Sequence, residues 1–130
     1  MSDHRGRLGR RGEQLAAEHL RRRGCVELAR NVRTSAGEID LIALDGRALV
    51  FVEIKTRCVS RRQDAIREEQ DPLRGLGTRQ RQRVRRLAAA WLRNERHRRP
   101  RAEAIRFDAI GVVLDTTGAQ RRIDHVEGAF

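Results

Sequence analysis

Between Leu8 and Arg23 the apolar residues Leu8, Leu15, Ala16 and Leu20 recur at helical spacing, Arg and Glu fill the gaps, and Gly24 stands where a helix would stop. The pattern then changes period. "CVELARNVR" (25–33) predicts a first strand at a sheet edge, and "GEIDLIAL" and "ALVFVEIKTR" predict two more. These last two flank Asp45-Gly46, a strong hairpin signal, so they should be antiparallel neighbours. Their near-continuous apolar runs imply burial on both faces, and helices must therefore cover the sheet.

Residues 58–78 lose the periodicity and gather charge, Pro72, Gly75 and Gly77, which predicts a mobile loop with a short helix near Gln63 to Glu69. From Thr78, a fitting N-cap, to about Arg96 the residues Val84, Leu87, Ala88, Trp91 and Leu92 restore a helical stripe. A basic connector, "RHRRPR" (96–101), leads to a strand over 104–115, a turn at Thr116-Thr117-Gly118 and a short strand over 120–126. The predicted fold is α/β, a central mixed sheet flanked by helices in the order α-β-β-β-α-β-β.

Length changes little in this picture: 130 residues suit one domain, 1–130, with a single core. Charge changes more. The net charge of +11 favours polyanions as partners, nucleic acid first among them, because cationic surfaces release counterions when they neutralise phosphates. Cys25 and Cys58 lack the partners and spacing of a zinc site. The opening "MSDHRGRLGRRGEQ" has no apolar core, and no stretch reaches the roughly 18 apolar residues of a spanning helix, so a cytoplasmic protein without membrane association is expected.

Among 29 Lys and Arg residues only Lys55 is lysine. Where positive charge alone suffices the chain uses Arg, so Lys55 marks a place suited to a compact ammonium. It sits in the hairpin, where Glu38, Asp40 and Glu53 also interrupt apolar runs. Alternation puts Glu53 and Lys55 on one face of their strand, and Glu38 and Asp40 on one face of theirs. Whether the two sets meet depends on the turn. A two-residue Asp45-Gly46 loop sets Asp40 opposite Phe51 with Glu53 diagonal, about 7–8 Å away. A four-residue loop sets Asp40 directly opposite Glu53, and an odd loop without a bulge separates them.

If they meet, carboxylates held together on apolar strands repel and suffer desolvation. A divalent cation offsets that cost, and Mg²⁺ favours one or two carboxylates together with phosphate oxygens. Lys55 could orient or deprotonate a water attacking phosphorus. An interstrand salt bridge at a sheet end explains the same residues more plainly, but does not require three charges on buried strands.

The spacing Asp40, twelve residues, then Glu53-Ile54-Lys55 resembles the signature of the PD-(D/E)XK nuclease superfamily, whose restriction-endonuclease-like core has the same element order. More closely, "GEIDLIALDG", "LVFVEIKTR", "RFDAIGV" and "HVEGAF" resemble the YraN family of small bacterial proteins, predicted endonuclease-like relatives of archaeal Holliday-junction resolvases. The resemblance implies Asp40, Glu53 and Lys55 as catalytic residues. Asp40, Glu53 and the Ile54 carbonyl would bind Mg²⁺ or Mn²⁺, joined by Glu13 from the first helix. At about 100° per residue Glu13 lies roughly 20° from Leu20, at the rim of the buried stripe, and could lean over the sheet. Ile39 stands where the superfamily name has Pro, and Gln80 where the family often has Lys.

The implied activity is metal-dependent phosphodiester hydrolysis in branched or otherwise structured DNA, for which symmetrical cutting would require a homodimer. Arg79, Arg83 and Arg86 share a side of the second helix and could track a phosphate backbone, although a solvated face explains such a row equally. A non-catalytic nucleic-acid-binding protein, acting on RNA included, is the competing reading. Asp108, in "RFDAIGV", is expected to be structural or a hydrogen-bond partner near the site, and Trp91 to be core.

Overall fold

The computed structural model describes residues 4–94 and 101–130. Helix α1 (His4–Arg22) stops where the sequence places a stop. Gly24 takes φ +89°, its amide bonds the Arg21 carbonyl at 3.0 Å, and the Cys25 amide bonds the Leu20 carbonyl at 3.0 Å. That is a Schellman closure, whose left-handed position glycine fills without steric cost.

Strands β1 (Val26–Thr34), β2 (Gly37–Asp45), β3 (Ala48–Val59), β4 (Ala104–Asp115) and β5 (Gln120–Val126) form one sheet in sequence order. Helix α2 (Thr78–Arg93) lies between β3 and β4 in the chain. Only β3 and β4 run parallel; the other neighbours are antiparallel, so the sheet is mixed and the order α-β-β-β-α-β-β is as expected. The one parallel pair is the one joined through a helix, the crossover that parallel pairing requires.

The helices cover opposite faces. Ala16, Ala17 and Leu20 of α1 pack on Leu41, Val52 and Ile110, whereas Leu87, Ala88 and Trp91 of α2 pack on Ile42, Leu49 and Phe51. Trp91 is core, edge-on to Phe51 with ring centroids 5.7 Å apart, a geometry worth about 1 kcal/mol beyond its buried area. The α1 layer is tightest at Gly12, where a Cβ would lie 2.0 Å from Thr56 Oγ1. Any side chain there would push the helix off the sheet.

Several expectations need correction. The N-cap of α2 is Gly77, in extended conformation without a side-chain cap, and Thr78 is the first helical residue. The helix ends at Arg93, and of its expected extension and the basic connector, residues 95–100 lie outside the described residues. β3 runs two residues into the expected loop, which begins at Ser60 and contains a 3-10 turn, Glu68–Gln70. Side chains anchor this loop to the body: Arg57 Nη2 donates to the Glu69 carbonyl at 2.9 Å, and Arg121 Nη2 to the Gln63 carbonyl at 2.6 Å. Among the described residues no helix is long and apolar enough to cross a membrane.

Candidate metal-binding and catalytic site

The hairpin turn is Gly46-Arg47, not Asp45-Gly46. Asp45 still pairs, with Ala48, and Gly46 takes φ +59° at the first loop position, as a type II′ turn requires. Moving the loop by one residue moves the register by two. Leu41 pairs with Val52, the last pair of the ladder, so Asp40 and Glu53 are the next residues outward on the two strands. The register anticipated for a four-residue loop is thus reached with a two-residue one.

At that point the sheet divides. The β2–β3 ladder ends at Leu41–Val52, while β2 continues with β1 to Gly37–Thr34 and β3 with β4 to Val59–Asp115. Alternation also breaks at Asp40: Leu41 packs beneath α1, but Ile39 packs with the α2 cluster instead of sharing its face. Across from Asp40 in β1, Asn31 adopts φ +53°, a left-handed conformation that asparagine tolerates better than most side chains. The kink turns the Asp40 carboxylate into the fork, where Oδ2 accepts a 2.7 Å hydrogen bond from the Ile54 amide. A side chain thereby replaces the ladder bond that β2 no longer supplies. Glu38 is exposed, and the face it was expected to share with Asp40 is lost with the alternation.

Glu53 is 7% exposed. Its Oε1 meets two cations, Lys55 Nζ at 3.2 Å and Arg83 Nη2 in closer contact. Glu13 of α1 lines, with Ile54, Thr56 and Arg57, a pocket of about 380 Å³ on the α1 side whose lining does not include Asp40, Glu53 or Lys55. Burial raises the pKa of Asp40 to about 6; the Ile54 amide opposes the rise, Glu53 and Glu13 add to it, and Lys55 lowers it. Asp40, Glu53, Glu13 and Lys55 therefore share one electrostatic neighbourhood.

That donor set fits a hard divalent cation in kind. Asp40 and Glu53 offer carboxylate oxygens, and burial, with Glu53 and Glu13 nearby, disfavours the charged form of Asp40, a cost that a bound cation would offset. The fit stops at two central carboxylates. Among the described residues no three or more His, Cys, Asp or Glu side chains are grouped closely enough to hold an ion by themselves. Backbone, water and substrate oxygens would complete the sphere. Ile54, whose carbonyl the family resemblance assigns to the ion, meets Asp40 through its amide.

The arginine row divides. Arg79 and Arg86 are exposed and form no ion pair with the described residues, whereas Arg83 turns inward onto Glu53. The sequence carried a signal for this: Arg83 precedes the buried Leu87 by four residues and Ala90 by seven, so it extends the buried stripe of α2 toward its N-terminus. Asp108 lies fully buried beneath α1, one row from Glu53 on the opposite face of the sheet. It binds Arg106 through two hydrogen bonds, at 2.9 and 3.0 Å, His125 Nε2 at 2.8 Å and the Gly128 amide at 3.1 Å. Burial pushes its pKa up, but the bonds from His125, Arg106 and Gly128 outweigh it and hold the carboxyl at about 2. Asp108 is a hydrogen-bond hub that ties β5 and the 127–130 segment to β4.

Comparison with known proteins matches residues 12–112 to the profile of "Uncharacterised protein family UPF0102". A UPF0102 protein of Streptomyces griseus is 44% identical over 115 residues, covering 88% of this chain and 89% of the relative. One from Frankia casuarinae is 41% identical over 123 residues, 95% of both chains. Another, from Pelotomaculum thermopropionicum, is 38% identical along the full length of both.

Proposed function

The chain belongs to the uncharacterised protein family UPF0102, the YraN family that its hairpin motifs resemble, and we propose that it hydrolyses phosphodiester bonds in nucleic acid at the Asp40–Glu53–Lys55 site. The observation that carries this reading is the fork itself, where the β2–β3 ladder ends at Leu41–Val52 and leaves Asp40 and Glu53 as the next residues on either strand, with Asp40 bound to the Ile54 amide. The superfamily likeness adds PD-(D/E)XK chemistry and the +11 charge adds a polyanionic substrate, with structured or branched DNA favoured.

Asp40 and Glu53 would hold a divalent cation, Mg²⁺ or Mn²⁺, with the Ile54 carbonyl as a further donor and Glu13 joining from α1. Bound there, the ion supplies Lewis-acid polarisation of the phosphodiester. Lys55, two residues past Glu53 and 39% exposed, would orient or deprotonate an attacking water and stabilise the charge that develops on the phosphoryl group. Arg79 and Arg86 remain on the solvent side to meet phosphates.

The test is incubation of the protein with branched, nicked and linear DNA in Mg²⁺ or Mn²⁺. Cleavage is expected for wild type, with a loss of at least about a hundredfold in Asp40→Ala and Lys55→Ala. No cutting across the panel, or equal cutting by the variants, sinks the catalytic reading. One observation favours the alternative, a non-catalytic binder of DNA or RNA: Lys55 and Arg83 already neutralise Glu53 without an ion. That reading predicts salt-sensitive binding indifferent to Mg²⁺ and to Asp40→Ala.

A further inference from the structure

Arg83 occupies an unusual place for a residue of a phosphate-facing row. It lies near the start of α2 with a side chain 41% exposed, yet its guanidinium reaches down to a carboxylate whose side chain is only 8% exposed. Lys55 meets the same oxygen, Oε1. Two half-exposed cations thus share one oxygen of a buried anion.

We infer that Arg83 is a built-in competitor for the cation: it holds Glu53 while the metal site is empty and must release it for a divalent ion to bind. The inference rests on the metal reading above and assigns a residue that the reading did not include. The physics is a charge balance. A buried carboxylate requires a positive partner, and a guanidinium fulfils that role through a directional, charge-assisted hydrogen bond. A divalent ion between Asp40 and Glu53 supplies more positive charge, so a guanidinium on the same oxygen becomes repulsive.

Once released, Arg83 stands four residues from Arg79 and three from Arg86, neighbours on the helix surface. Metal binding would therefore complete a three-arginine row at the moment the site becomes competent. Arg83 is a positioning residue, distinct in role from Lys55, which meets the same repulsion at Oε1 but is tethered to β3 two residues from Glu53 and remains at the site when it leaves that oxygen.

The experiment measures Mn²⁺ binding by calorimetry, without DNA, for wild type and Arg83→Met, and follows the wild-type Arg83 Nε–Hε resonance during a Mg²⁺ titration. The variant is expected to bind Mn²⁺ about tenfold more tightly, and the resonance to move in step with the Asp40 and Glu53 amides. Equal or weaker binding by Arg83→Met, with wild type binding the ion, overturns the inference and leaves the metal reading standing. No binding by either protein at millimolar Mn²⁺ overturns both. Should Arg83→Met fail to fold, the resonance still decides: an Arg83 signal that stays still while the Asp40 and Glu53 amides titrate overturns the inference.

Discussion

Two aspartates on this sheet are drawn away from water, and they answer the problem in opposite ways. Asp108, fully buried beneath α1, has its two oxygens filled by four hydrogen bonds from Arg106, His125 and Gly128, and stays ionised down to about pH 2. Asp40, in the fork between β2 and β3, has one amide, the opposing charges of Glu53 and Glu13 and the weaker help of Lys55, and burial above all raises its pKa to about 6. Burial is therefore not what separates a structural acid from a candidate functional one. What separates them is whether the surroundings complete the charge, as they do around Asp108 and do not around Asp40.

The comparison breaks most visibly at Asp108. Asp108→Ala leaves His125 without its acceptor, frees the Gly128 amide and reduces Arg106 to its partners Asp45 and Glu127, so a loss of about 3 kcal/mol is expected in urea denaturation. A loss below about 1 kcal/mol would place Asp108 outside the stabilising framework. The matching change at Asp40 should have the opposite sign. Asparagine keeps an oxygen for the Ile54 amide and removes the unfavourable charge, so Asp40→Asn should stabilise the ion-free protein at pH 8 by about 2 kcal/mol.

The pH dependence of that gain follows from the sign of the shift. The folded pKa lies above the unfolded value of 3.8, so wild type recovers stability as pH falls through about 6, and the two proteins converge below about pH 4. A gain independent of pH, or a net loss at pH 8, would show that Asp40 is already compensated in the manner of Asp108.

How far the sequence revealed these two environments depends on the range of the interactions. Local rules placed β4 and β5 at their observed bounds and set Gly24 as the end of α1, because hydrophobic period and backbone conformation are written residue by residue. The register of the hairpin was less legible. It turned on whether Gly46 occupied the first or second loop position, a choice between two glycine-compatible turns that moves every cross-strand pair by two residues. The Asp108 hub was out of reach, since its partner His125 lies 17 residues away on another strand and only the β4–β5 pairing brings it near. Arg83 was half legible: its spacing from Leu87 and Ala90 put it on the buried stripe, but a long side chain at the rim of a helix can face solvent or sheet, and only the buried Glu53 beneath it decides.

The smallest expected effect concerns the outer end of the Asp108 chain, where His19 Nε2 meets His125 Nδ1 at 3.1 Å. The Asp108 carboxylate only accepts, so His125 Nε2 carries a proton and its Nδ1 depends on His19 for a partner. His19→Leu should cost about 1 kcal/mol at pH 8, the usual worth of one such bond. Acid should narrow that difference. Burial, together with the charges of His125, Arg23 and Arg22, lowers the His19 pKa below 6.5, so wild type loses stability from this group as the unfolded chain takes up the proton first. The leucine variant lacks that proton uptake. Denaturation curves between pH 8 and pH 5 should therefore converge, and a gap that widens on acidification would mean that a protonated His19 strengthens the hub, making this end of the sheet an acid-stabilised one like the Asp40 fork.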